Sequence, residues 1–241
     1  MAETKHILIL ANSRRPGGHC VAGKIATPLS ETSYDVTDRW IRLVDPRNPA
    51  GGVAYQNTIC RGKAIRPLDL IEVTTTTHCN NEDHPEDWFF DPTRQWQKVA
   101  ELPRSCLANI VDRNITLWHD RTSANSVASG FVRTMQPHQF SICLVPGPPK
   151  MDFFFWKKTV HDPKTGQAKM KYVRDLSFHH SGAYHEFSVT DPEFMSPFWK
   201  KITEHPQAMN FPDASRHYLC LSLGLDFHGK QYKVGATIFQ P

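Results

Sequence analysis

No run of apolar residues in this chain approaches the roughly 18 needed to cross a bilayer as a helix. The first apolar run, residues 7–11, is too short for the core of a secretory signal and lacks a cleavage pattern. The chain is therefore expected to be soluble and cytoplasmic, with no membrane among its partners. Charge of one sign is also scarce. The net charge over 241 residues is +4 and the isoelectric point about 8.7, below the value of about 9 that marks a strongly basic nucleic-acid domain. Such a balance permits an anionic partner only through local clustering. Paired cysteines are missing: the six are scattered, with no Cys-x-x-Cys, and six free thiols are expected rather than a disulfide framework. His78, Cys79 and His84, with Cys60, Glu86 and Asp87, carry metal-capable atoms at a spacing that fits no zinc pattern. His179, His180 and His185 flank a turn. No metal and no cofactor is expected. Catalytic signatures are lacking too: no Gly-Lys-Ser/Thr loop, no GxSxG elbow, no HExxH and no deaminase set. His19 and Cys20 are sequence neighbours, so on a strand they face opposite ways, and Asp69 and Glu72 form no carboxylate pair. No catalytic residue is assigned, and binding stands ahead of catalysis.

What is present points to β-structure. Eighteen prolines and 13 glycines favour many turns and short strands, while 14 Phe and 6 Trp can fill cores. Strands are expected over 7–10, 39–44 and 68–75 in the first half, then over 140–145, 153–158, 169–178, 183–190, 218–225 and 231–239. Ser181-Gly182 and His228-Gly229 are hairpin turns by residue type. A short helix is expected after Pro103, running to Val111. Another starts where Asp191 caps Pro192 and runs through Trp199 and Ile202. The stretch 120–130, DRTSANSVASG, is small and polar and is taken as the boundary between units 1–120 and 130–241.

Three groups of residues stand out for binding. The first is the loop after the opening strand, where Asn12, Ser13, Arg14 and Arg15 precede Pro16-Gly17-Gly18 and Lys24 follows. Adjacent glycines let a ligand approach the backbone, and arginine forks suit phosphate; the alternative is a solvated hairpin turn. The second is Trp40 with Arg42 on one strand face, a stacking ring beside a cation or else a core Trp with a snorkelling Arg. The third is Phe153-Phe154-Phe155-Trp156 followed by Lys157 and Lys158. A strand must show such aromatics on both faces, so one side is core. The other is an interface between units or an exposed stacking surface. Lys164, Lys169, Lys171 and Arg174 make this the most basic region.

The segment LANSRRPGGHCVAGK with RWIRLV resembles the opening of the dual-OB domain family. PLDLIEV followed by HPEDW, then YHEFSVTDP and the terminal LCLSLGLDFHGKQYKVGATIF, fit the same pattern, so the resemblance spans nearly the whole chain. It implies a mostly β protein of two OB-like β-barrels with short helices. It also implies a nucleic-acid-binding module of a bacterial defence or genome-conflict system, partnered by a nuclease, helicase or other effector encoded nearby. It transfers no catalytic set. The alternative is a regulatory subunit sensing a nucleotide or partner protein, and a nucleic-acid hydrolase stands last. The binding residues expected on this reading are Asn12, Ser13, Arg14, Arg15, Lys24, Trp40, Arg42, Lys157 and Lys158.

Overall fold

The opening strand, β1 (Glu3–Arg15), has two apolar faces: Ile7 and Ile9 on one, Leu8 and Leu10 on the other, all fully buried. A strand buried on both sides must lie between two cores. Ile7 and Ile9 join Val21, Ile41, Leu43, Ile71 and Phe90 inside a first barrel. Leu8 and Leu10 join Ala22, Leu70, Ile142, Leu144, Cys220 and Phe239 in a layer outside it. The computed structural model describes residues 2–15, 17–30, 33–48, 50–121, 123–135, 140–162 and 165–241. Pro16 and Lys164 lie outside the described residues.

The first barrel closes with five strands. β1 pairs antiparallel with β2 (Gly18–Pro28), and β2 with β3 (Tyr34–Val44). A separate hairpin follows, β4 (Ile59–Cys60) with β5 (Lys63–Ala64). β6 (Asp69–His78) returns to β1, and β7 (Asp87–Phe90) joins β6 and runs parallel to β3. β8 (Gln97–Glu101) extends the sheet from β6. β1 serves both neighbours by dividing its length: Glu3 to Leu8 faces β6, and His6 to Arg15 faces β2. β2 is invisible to an apolar-pattern search because its centre is Ala22-Gly23-Lys24. Gly23 is needed there: a Cβ would stand 1.9 Å from the Leu8 carbonyl oxygen.

The second sheet repeats this plan with its first strand broken. β9 (Ser126–Ala128) pairs with the last strand. β10 (Ile142–Pro146) and β11 (Met151–His161) follow each other, then β12 (Ala168–His180), β13 (Ala183–Val189), β14 (Gln207–Phe211), β15 (Tyr218–Phe227) and β16 (Lys230–Phe239). The spatial order is β10-β15-β16-β13-β12-β11-β14, with β13 parallel to β16. β10 takes the pairing with β15 and β11 the pairing with β12, the same division that β1 makes in one piece. The bend between them is set at Gly147, where a Cβ would fall 2.0 Å from the Ala214 carbonyl oxygen. The result is mostly β, two OB-like units, as expected.

The helices are short: α1 (Leu107–Ile110), α2 (Phe131–Thr134) and α3 (Pro192–Met195), with single turns of 3-10 helix at Tyr55–Thr58, Arg104–Cys106 and Trp199–Lys201. Asp191 caps α3 as its sequence indicates, accepting from the amides of Glu193 and Phe194, with Pro192 in the first turn. α3 then drives Phe194 and Phe198 into the second core, each 5.0 Å from the Phe153 ring. None of the helices of the described residues is long and apolar enough to cross a membrane.

The polar stretch 120–130 is only partly a connection. Val127 is buried in the second core, and Ala124 accepts hydrogen bonds from the Glu186 amide and Lys233 Nζ. A division near residue 120 remains our proposal, with the second unit beginning by Ala124 rather than at 130. Because Leu8, Leu10 and Leu70 share one apolar layer with Ile142, Leu144 and Phe239, a chain cut after the exposed Arg121 should stay in one piece. The two fragments are expected to co-elute as a single particle on size exclusion in native buffer and to part only in denaturant. Separation in native buffer would show that the shared layer does not hold them.

Candidate nucleic-acid interface

The cations expected to bind phosphate fall into two physical classes. Lys24 and Arg42 lie on the outer face of β2 and β3, but that face is covered. Lys24 is 0% exposed; its Nζ donates to the Ile110 carbonyl and to Asp112 Oδ1, both at 2.6 Å. Arg42 is 4% exposed; its Nε donates to Asp87 Oδ1 at 2.6 Å and its Nη2 lies 3.2 Å from Glu86 Oε1. Burial alone would push the Arg42 guanidinium down, but Asp87 and Glu86 hold it above its ordinary range. Ser141 donates to Glu86, and His84 Nδ1 lies 2.7 Å from Ser141 Oγ, so the charge cluster ties the first sheet to the strand region of the second. Burial, then Arg42 and Arg15, push His84 down to about 2 and keep it neutral. Lys24 and Arg42 are thus inter-sheet ties rather than the solvent-facing phosphate contacts expected from the sequence: a buried, paired cation presents nothing to a polyanion in solvent.

Trp40 is half-buried, with Nε1 donating to Asp112 Oδ2 at 2.9 Å. Its ring edges a groove of about 880 Å³ shared with Arg39, Trp88, Arg113 and Phe140. In the loop, Asn12 is pinned between the Ile65 carbonyl and His19 Nδ1, both at 2.8 Å, and Ser13 is buried. Arg15 is half-buried and donates to the Ala50 carbonyl. Of this group only Arg14 is exposed. It reaches a cleft of about 310 Å³ lined from the other unit by Arg174, Asp191 and Trp199. There the Arg174 guanidinium sits 5.5 Å over the Trp199 ring, which stands 5.7 Å from Tyr172.

The aromatic run on β11 divides as alternation demands. Phe153 and Phe155 are core; Phe154 and Trp156 are half-exposed on the outer face and belong to none of the buried clusters. Beyond them, β11 and β12 continue as an arm with most positions exposed on both faces. Lys157 and Lys158 therefore point to opposite sides, Lys157 opposite Tyr172 and Lys158 directly opposite Lys171. Lys169, two positions along that same face, pairs with Asp162 at 3.1 Å. Among the described residues neither Lys158 nor Lys171 has a carboxylate within salt-bridge distance. Like charges placed directly across an antiparallel pair are unfavourable, a repulsion that the Asp175 carboxylate on the same face offsets only in part. Trp156 and Phe154 lie on the same face just below it.

Residues 5–238 match the family model described as a dual OB-containing domain. The chain belongs to that family. No curated protein matches its sequence. Among solved structures, it is similar to a replication protein A heterotrimer bound to single-stranded DNA, at 10% identity and a TM-score of 0.35, over all of this chain and 49% of that one. The chain thus spans about half the length of that relative. It is also similar to a murine DNA binding protein bound with double-stranded DNA, at 10% identity and a TM-score of 0.28, over the whole of both chains.

In this dual OB-containing domain, the strand β2–β3 face that OB-folds use for oligonucleotides is therefore occupied in the first unit by Asp112, α1 and the shared apolar layer. In the second unit the β11–β12 arm stays open, while the outer face of β12 is covered at Val173 and Ser177. Sequence reasoning missed Asp112, a lone acid in a polar stretch with no pattern to flag it. It also left Trp199 in a helix and Tyr172 in a strand, with no signal that they meet. The six cysteines are free, and no group of three or more metal-capable side chains is placed to hold an ion among the described residues.

A second buried histidine sets an acid limit. His185 is packed beside His119, His180 and Lys233; burial, then Lys233 and the neighbouring histidines, push it down to about 4. Its folded value lies below the 6.5 of a free imidazole, so between these two the unfolded chain binds a proton that the folded one refuses. The stabilisation is full above about pH 6.5 and is lost as pH falls toward 4, at up to about 1.4 kcal/mol per pH unit. Urea unfolding across this range should show the combined slope of His185 and His84, and His185→Gln should reduce it by up to about 1.4 kcal/mol per pH unit while the His84 share remains. An unchanged slope in the variant would remove His185 as its source.

Proposed function

We propose that the protein binds nucleic acid through the β11–β12 arm, with Lys158 and Lys171 on phosphates and Trp156 and Phe154 under bases. The observation that carries this is the opposed Lys158–Lys171 pair beside two half-exposed rings. An anion between the two ammonium groups removes their repulsion, and rings beside a basic track are the general means of holding single strands. Arg14, next to Arg174 and Trp199 on the opposite side of β12, extends the positive surface. Lys157 contributes from that side. The net charge of +4 makes such clustering necessary for affinity at physiological salt. Binding without catalysis is part of the proposal. So is service in a bacterial defence or genome-conflict system beside a nuclease, helicase or other effector. That setting rests on the family resemblance, and stable co-purification with such an effector tests it.

The direct test is titration with single- and double-stranded DNA and RNA at several salt concentrations. Lys158→Ala with Lys171→Ala should reduce the log–log salt slope by about 1–2 units for a single strand. All sequences should weaken about equally. The same double variant should melt no lower than the parent, because a repulsive cross-strand pair is gone. An unchanged slope in the folded variant would rule out the arm.

A further inference from the structure

Between the two units lies a cavity of about 460 Å³ that the arm does not use. Its floor is apolar, from Leu223, Val234 and Ala236, and Phe227 and Tyr232 stand at its mouth, 61% and 42% exposed. Arg14 and Arg15 line one end, with Arg42 behind them. Arg42 Nη2 is buried and ion-paired with Glu86 Oε1 at 3.2 Å, without the geometry of a hydrogen bond. The wall between carries Thr190, Ser222 and Asp226. The Ser222 hydroxyl already donates to the Leu223 carbonyl and that of Thr190 to the Gly235 carbonyl. Both are left as acceptors, as is the Asp226 carboxylate.

We infer that this inter-unit cavity is a binding site for one nucleotide unit, with the base on the apolar floor between Phe227 and Tyr232 and the phosphate on Arg14 and Arg15. The size is that of small-ligand pockets, which run from about 300 to 1,000 Å³. Rings at an apolar mouth suit a flat base, and two arginine forks at one end suit a phosphate. The acceptors on the wall match the N–H groups on a base edge, whereas an acyl chain would leave them unpaired. Arg14 also lines the neighbouring Arg174–Trp199 cleft, so successive phosphates of one strand can run past it. The inference deepens the nucleic-acid reading and rests on it for the strand; a free mononucleotide supplies the same chemistry.

Calorimetric titration with adenosine 5′-monophosphate and with a single-stranded DNA 12-mer tests it. Val234 is half-buried and lines the floor, so Val234→Phe should fill the cavity and weaken the mononucleotide at least tenfold. Should that variant melt early, Phe227→Ala carries the test, because the exposed ring can be removed without disturbing the core. A parallel fall in 12-mer affinity supports a unit of a strand as the occupant; a fall for the mononucleotide alone supports the free nucleotide. Absence of mononucleotide binding, or unaltered affinity in both variants, overturns the inference. So does displacement of the mononucleotide by decanoate at lower concentration. Salt-dependent 12-mer binding by the unaltered protein is read separately: its loss would sink the nucleic-acid reading, and its persistence beside an unaffected cavity sinks this inference alone.

Discussion

Arg42→Ala is expected to lower the free energy of unfolding by about 3–5 kcal/mol, the cost of removing one partner from a buried ion pair. The loss is large because two carboxylates remain. Glu86 and Asp87 are both buried, and without the guanidinium they are left as adjacent like charges with little water. Burial already pushes the Glu86 carboxyl up, with Arg42 opposing that push, so in the variant Glu86 should take up a proton more readily. A triple-mutant cycle separates charge from packing. Arg42→Met combined with Asp87→Asn and Glu86→Gln should recover much of the loss, since removing both sides of a buried pair costs far less than removing one. Urea denaturation measures all the variants. A loss below about 1 kcal/mol together with a reduced salt slope for oligonucleotides would instead return Arg42 to the phosphate-binding role.

The second large effect is expected at Asp112. Its carboxylate accepts from Lys24 Nζ at 2.6 Å, Trp40 Nε1 at 2.9 Å and the Leu144 amide at 2.7 Å. One side chain thus ties two strands of the first sheet to β10 of the second. Asp112→Ala removes the close counter-charge of a fully buried ammonium, leaving Asp38 at 3.7 Å and the Ile110 carbonyl. A loss of about 3–5 kcal/mol is expected on the same grounds. Asp112→Asn keeps the shape and part of the hydrogen bonding and should lose less. Amide hydrogen exchange locates the effect: faster exchange should concentrate in β2, β3 and β10, where the ties end. Uniform exchange throughout the chain, with unaltered stability, would show that Asp112 is not a tie.

Lys24 and Arg42 show how far a linear reading reaches. Alternation correctly places Trp40 and Arg42 opposite Ile41 and Leu43, because side chains on a strand change sides at every residue. It is silent on what lies beyond the outer side. The rule that a buried arginine needs a partner holds here, but the partners are Asp87 at the start of β7 and Glu86 in the turn before it. The partner of Lys24 and Trp40 comes from a loop 72 residues beyond Trp40. The arm is the converse case. Its aromatics and lysines are visible in the sequence, but whether Phe154 and Trp156 meet the other unit or solvent depends on which sheet face that unit covers.

What the sequence by itself determined was local: the strands of the second half other than β9 and β14, the hairpin turns at Ser181-Gly182 and His228-Gly229, the Asp191-Pro192 helix start and the mostly β character. Each is encoded within a few neighbouring residues, through side-chain alternation, positive backbone angles or a capping carboxylate. Only the tertiary structure decided which cations meet water. Lys24 and Arg42 lost their solvent to α1, Asp112 and the apolar layer around Ile142 and Cys220, while Lys158 and Lys171 were left facing each other on an uncovered arm. Desolvation depends on what is packed above a side chain, and residues far away in sequence supply that cover.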